Sequence, residues 1–337
     1  MSADALSDVL RAVRLTGAVF FTVDVAPPWA TPVPDAATLA PLIMPTAQHL
    51  ISYHLVTSGS WWAIPAGGAP VRLEAGDVIV FPMGASHVMC SDPKTPLGMA
   101  FDVRSVGPME QFPYRIVGAV GGDERLGLVC GFLGCDTRPF NPLLAALPAT
   151  MVVSDRGGAN DGWLGQFMRL AIAEATDKRA GGESVLGRIS ELMFVEAVRR
   201  HIDTLPADET GWLAGLRDRH VGRALTLLHA QPAHPWTLEE LAREVGVSRS
   251  SLADRFLHLV GHPPMQYLAQ WRMQVAAGLL ANGGPGLAEI AAQVGYASEA
   301  AFSRAFKKIV GEPPAAWRRQ RSNAASAAVL QAGRPDA

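Results

Sequence analysis

The chain has 337 residues, 49% of them hydrophobic, which argues for two or three globular domains and against wholesale disorder. No apolar run reaches the roughly 20 residues of a membrane span, so no membrane partner is expected. Net charge is only −2 but unevenly divided: residues 1–216 carry 15 Lys+Arg against 22 Asp+Glu, while residues 217–321 carry 13 against 8, as expected if only the C-terminal part meets phosphate.

In chain order, residues 1–15 form a short amphipathic helix by pattern, with Leu6, Val9, Leu10 and Val13 on one face. The start of the chain lacks the basic and apolar stretches of a secretory signal, and Cys90, Cys130 and Cys135 form no disulfide framework. A cytoplasmic protein with reduced thiols is expected. From about Gly17 to Val117, strand-length runs such as Ile51–Thr57 and Asp77–Phe81 are cut by Gly and Pro, which predicts a barrel or sandwich within residues 1–140. From Asn141 the period turns helical. Asp161–Thr176 and Glu183–Thr204, split by Gly181-Gly182, predict a helical hairpin over 141–204. Such a hairpin either covers the barrel or pairs two copies of the chain, and Arg199 and Arg200 near its end are expected to be exposed. Residues 205–216 are expected to be a linker and residues 322–337 a disordered tail.

Residues 217–321 repeat themselves. Leu241-Ala-Arg-Glu-Val-Gly246 recurs as Ile290-Ala-Ala-Gln-Val-Gly295, and then Ser248, Leu252, Phe256 and Gly261-His-Pro-Pro264 recur as Ser298, Phe302, Phe306 and Gly311-Glu-Pro-Pro314. In each copy a first helix ends at glycine, a serine caps a second helix, and glycine with two prolines ends that helix. This is the helix-turn-helix plan, twice. Pro264–Leu280 joins the copies as one helix of about 25 Å, which suits reading helices roughly one DNA turn apart.

The stretch Trp236-Thr-Leu-Glu-Glu-Leu-Ala through Gly295-Tyr-Ala-Ser-Glu-Ala-Ala-Phe-Ser-Arg-Ala-Phe-Lys-Lys and Gly311-Glu-Pro-Pro-Ala-Ala-Trp-Arg closely resembles the AraC family of bacterial transcription regulators. The resemblance implies a sequence-specific regulator that binds promoter DNA through two adjacent major grooves, with RNA polymerase as a further partner and a homodimer as the working form. It places Arg249, Ser250, Ala253 and Asp254 on the first reading helix and Glu299, Ala300, Ser303 and Arg304 on the second. Arg304 suits guanine; Lys307 and Lys308 suit phosphate. Asp254 stands where the second copy has Arg304. It either accepts from a cytosine amino group or pairs with a neighbouring arginine, and both readings stand.

Gly76-Asp-Val-Ile-Val-Phe-Pro82-Met-Gly84-Ala-Ser-His87 resembles the second motif of the cupin superfamily. The implied fold is α+β and multidomain: a cupin-like β-barrel plus helical hairpin, then an all-α domain with two helix-turn-helix motifs. A barrel in front of an AraC-type domain implies a small-molecule effector, for which Tyr53, His54, Trp62, Phe81 and His87, with Trp61, are pocket candidates. The alternative is a metal-dependent cupin enzyme with an accessory DNA-binding domain. Against it, the positions of the H-x-H and Glu ligands hold Pro45, Ala47 and Ser52. No cofactor is required by pattern, although His87, Cys130 and Cys135 are a possible zinc set by ligand type. A third alternative is an architectural DNA protein, which an acidic front domain does not favour.

Overall fold

A computed structural model describes residues 4–45, 47–97, 114–117, 125–154, 163–177, 180–281, 283 and 285–321. They fall into two compact units. One holds residues 15–135 and 148–203; the other holds 4–14, 136–147 and 204–321.

The first unit is the barrel with its hairpin. One sheet has the strand order β10 (Met151–Ser154), β6 (Asp77–Phe81), β3 (His49–Ser58), β9 (Leu126–Cys135), β1 (Thr16–Val25) and β8 (Tyr114–Val117). The second has the order β2 (Ala30–Val33), β7 (His87–Cys90), β4 (Ser60–Pro65) and β5 (Val71–Glu74). Alternate residues of both sheets point inward and make one core, with Phe21, Leu50, Val56, Trp61, Leu73, Ile79, Phe81, Leu128 and Phe132 buried together. Strand β3 is buried on both faces, which hides its alternation in the sequence. Its outer face is covered by the hairpin α4 (Trp163–Asp177) and α5 (Gly182–Thr204). Leu186, Ile189, Met193, Phe194, Ala197 and Val198 of α5 are buried there. The hydroxyls of Tyr53 and Ser190 lie 2.7 Å apart. Helix and sheet come close at Gly17, where a Cβ would stand 2.2 Å from the Gly187 carbonyl oxygen.

The second unit is helical. Its repeat comprises α8 (Leu238–Val245) and α9 (Arg249–Val260), then α11 (Leu287–Gln293) and α12 (Glu299–Val310), joined by α10 (Pro264–Ala281). The expected stops are present: Gly246 is left-handed at φ 76°, as is Gly295 at φ 82°. Ser248 accepts from the Ser251 N–H and Ser298 from the Ala301 N–H, each at 3.2 Å.

Three expected boundaries need correction. The helix α1 (Ala5–Ala12) belongs to the helical unit, where it packs on α7 (Arg219–Ala230) and α10, because its apolar face meets theirs. The same holds for Asp136–Leu147, which carries α3 (Pro142–Ala146). The barrel therefore does not span 1–140. The expected linker 205–216 contains most of α6 (Trp212–Arg217), in which Trp212 and Leu213 are buried and the Trp212 indole N–H donates to the Tyr267 hydroxyl at 2.8 Å. The expected disordered tail lies outside the described residues.

Candidate nucleic-acid interface and barrel site

The second helix of each copy, α9 and α12, carries the side chains expected to face DNA. On α9, Leu252 and Phe256 are buried, which turns Arg249, Ser250 and Asp254 outward, with Ala253 half-buried between them. On α12, Phe302 and Phe306 are buried, and Glu299, Ala300, Arg304, Lys307 and Lys308 are exposed, with Ser303 half-buried. Arg304, Lys307 and Lys308 make no ion pair among the described residues, so their charge is available to an anion. Asp254 makes none either: the arginine beside it, Arg255, donates to Asp218, through Nε at 2.7 Å and through Nη2. That pairing holds the Asp218 carboxyl below its ordinary range despite burial. It also leaves Asp254 as an uncompensated acceptor on the reading face.

In the barrel, adjacency on a strand decides which pocket candidates meet. His54 points into the core. Tyr53 next to it points outward, its ring lying over Gly131, where a Cβ would stand 2.3 Å from the hydroxyl. Trp61 points inward and Trp62 outward for the same reason. The set that assembles is therefore His54, Trp61, Phe81 and His87, joined by Trp29. His87 stacks on Phe81 at 3.8 Å, and His54 meets Trp61 edge-on at 5.9 Å. Trp29 lies 6.5 Å from Trp61. Trp29 was not expected from its sequence, because Pro27-Pro28 before it masks any strand alternation.

Hydrogen bonding in this cluster sets the tautomers. The His87 Nδ1 lies 3.0 Å from the Ala85 carbonyl, which can only accept, so Nδ1 carries the proton. Burial pushes His87 down to about 4 and His54 well below its ordinary value, so both rings are neutral near pH 7. The His87 Nε2 is then a bare acceptor, and the His54 Nε2–H donates to it at 2.7 Å. His54 Nδ1 is left as a bare acceptor. Among the described residues it is buried without a partner, as are the indole N–H groups of Trp61 and Trp29.

The cupin fold raises the question of a metal, and the residues do not fit one. The His54–His87 separation is a hydrogen-bond distance; two ligands of one tetrahedral zinc, each at roughly 2.0 Å, stand farther apart. Of the possible zinc set, Cys130 faces the apolar core opposite His54, and burial raises its thiol. Cys135, five residues on along β9, faces the other side. Among the described residues no three His, Cys, Asp or Glu side chains cluster to hold an ion.

Known proteins share this layout. A family model described as Cupin matches residues 4–203, and one described as Helix-turn-helix domain matches residues 241–320. A protein of Streptomyces lividans named "Putative AraC-like transcription regulator" is 36% identical over 74% of this chain and 80% of its own length. One of the same name from Streptomyces antibioticus is 33% identical over 81% of this chain and 88% of its own. The HTH-type transcriptional regulator AlkR of Acinetobacter baylyi is 28% identical over 94% of this chain and 99% of its own. Paired helix-turn-helix units, a cupin sheet domain before them and full-length relatives of this kind agree: the chain belongs to the AraC-type transcription regulators, which bind promoter DNA through their helix-turn-helix domain.

Proposed function

We propose that this regulator answers to a small-molecule effector held in the barrel by the His54, Trp61, Phe81, His87 and Trp29 cluster, and that it has no enzymatic activity of its own. The observation that carries this reading is the trio of buried, unpartnered nitrogens, one acceptor and two donors, among apolar rings. A buried polar atom without a partner costs about 1–3 kcal/mol, which a ligand supplying the missing partners offsets. A neutral group that both donates and accepts, such as a hydroxyl on an apolar body, matches His54 Nδ1 and an indole N–H together. A carboxylate has no proton for His54. On DNA, α9 and α12 read bases through Arg249, Ser250, Ala253, Asp254, Glu299, Ala300, Ser303 and Arg304, while Lys307 and Lys308 hold phosphate.

The working form is a homodimer that acts on RNA polymerase at a cytoplasmic promoter. The hairpin supports the pairing: Val185 and Leu192 are exposed seven residues apart on the face of α5 turned away from the sheet. The decisive experiment selects bound sequences from random DNA, then measures affinity for the selected site with and without a panel of neutral hydroxyl compounds and their carboxylate analogues. A hydroxyl compound that changes wild-type affinity but not that of a Trp61→Phe variant supports the reading. A panel without effect on DNA affinity or on tryptophan fluorescence refutes it.

A further inference from the structure

Residues 136–147 lie about seventy residues before the helix-turn-helix domain in sequence, yet they pack inside the same unit, where they contact the second half directly and the first half through α10. On the side of the second reading helix, the Arg138 Nη2 donates to the Val310 carbonyl at 2.9 Å. Val310 is the last residue of α12, and its carbonyl is one that the helix leaves without an internal partner. A guanidinium there also meets the negative end of the helix dipole. The same guanidinium is 3.7 Å from the Glu312 carboxylate and lies over the Trp317 ring at 5.4 Å. Trp317 in turn packs on Phe306, the core residue of α12.

Two residues on, the chain reaches the first half through α10. The Phe140 ring meets Tyr267 edge-on at 5.4 Å, and Tyr267 meets Phe256, the core residue of α9. Between these two contacts the Phe140 N–H donates to the Gln274 Oε1 at 3.0 Å. Gln274 is buried in the middle of α10, the helix that joins the halves, and its amide donates to the Ala12 carbonyl at 2.9 Å. Asp136 closes the arrangement. Its carboxylate accepts from the Arg14 Nε at 2.8 Å and the Arg321 Nη1 at 3.2 Å, and its N–H donates to the Val13 carbonyl at 2.8 Å.

We infer that the segment Asp136–Leu147 is a brace that sets the spacing and orientation of α12 relative to α9, with Arg138 as its positioning residue for the second reading helix. A fragment cut at the start of the sequence repeat lacks this brace. Operator spacing is therefore written partly in residues that touch no base. Arg138 acts on DNA only through α12. Its removal uncouples the two halves rather than weakening either one.

The test uses the full chain and an operator selected by the wild-type protein from random DNA. Binding is measured on the two-box operator, on each box alone, and on operators with one or two base pairs inserted between the boxes. The wild type should lose affinity on insertion. Arg138→Ala should bind the two-box operator about tenfold more weakly, the effect of one lost charged contact, tolerate the insertions better, and bind single boxes as the wild type does. Arg138→Lys, which keeps the charge at the helix end, should recover part of the spacing preference. Equal loss on every DNA, no loss on any, or an operator with a single box would overturn the inference. If Arg138→Ala fails to fold, Arg138→Lys and Phe140→Leu supply the same comparison.

Discussion

His54 and His87 face each other through their Nε2 atoms at 2.7 Å inside the barrel, so one of the two nitrogens must be without a proton. The contact requires at least one neutral ring, and burial keeps both neutral. His87 is held down to about 4 by burial, and His54 well below 6.5 by burial first and by His87 second. In the unfolded chain both titrate near 6.5. Because the folded values are the lower ones, stability is full above that pH and is lost as pH falls from 6.5 towards 4, where the unfolded chain binds protons that the folded chain refuses. His87 alone should account for roughly 3 kcal/mol across this window. Urea unfolding at pH 7.0, 5.5 and 4.5 should show the loss, and His87→Gln should flatten it. Identical pH slopes for the two proteins would mean that His87 is not a buried neutral ring.

A second prediction concerns Gly17. The Gly187 carbonyl stands 2.2 Å from where a Cβ of residue 17 would be, and the Gly17 N–H donates to the Glu191 carboxylate at 3.1 Å. Backbone against backbone leaves no flexible side chain to swing away. Gly17→Ala should therefore push α5 off the sheet and destabilise the barrel unit by about 1–3 kcal/mol, read as a lower urea midpoint. Gly181→Ala, at a turn with open space around it but φ 82°, should lower the midpoint by no more than about 1 kcal/mol, from backbone strain alone. A Gly17→Ala midpoint equal to that of the wild type would show that the close approach does not exist.

The helix-turn-helix repeat was almost wholly legible in the sequence, down to the ends of α9 and α12, because caps and stops are local chemistry. Ser248, Gly246 and Gly261 each act on backbone groups within a few residues. The barrel was legible as a class but not as a site. Tyr53, His54, Trp61 and Trp62 are equally apolar neighbours, and only the pleat separates inward from outward. The membership of α1 and of residues 136–147 in the helical unit was invisible, since nothing in Asp136 or Gln274 announces a partner more than a hundred residues away. Arg200 departs from its expected exposure for the same reason. It is held by Glu196 at 2.9 Å and by the Ser154 carbonyl at 3.1 Å, so of the two arginines expected to be exposed on the hairpin only Arg199 is.

The exposed pair Val185 and Leu192 carries the third prediction. Two large apolar side chains, 39% and 42% exposed, lie on one helical face. If this face pairs two copies, Leu192→Glu should raise the dimer dissociation constant at least about tenfold, since it replaces a buried apolar contact by an unpaired charge. Sedimentation across a concentration series reads this directly. Leu97→Glu, at an exposed apolar position after β7, should leave it unchanged. Equal behaviour of the two variants would place the dimer contact elsewhere.

The matched positions Asp254 and Arg304 carry the last. Both are exposed, Asp254 on α9 and Arg304 on α12, and neither has an intramolecular ion pair among the described residues. Arg304→Ala should cost about 1–3 kcal/mol on the selected operator and relax base preference at one position, while binding to random DNA changes little. Lys307→Ala should weaken all DNAs alike and reduce the salt slope by about one unit. Asp254→Asn separates two roles for the acid. If Asp254 only repels backbone phosphate, the variant binds specific and random DNA more tightly by the same factor. If it accepts from a cytosine amino group, random DNA gains while the selected operator loses, because the discriminating contact is weakened as the repulsion is relieved. Among the described residues no arginine pairs with Asp254, Arg255 being committed to Asp218, and the outcome expected for a base-reading acid is the second, with base preference relaxed at a single position in the first box.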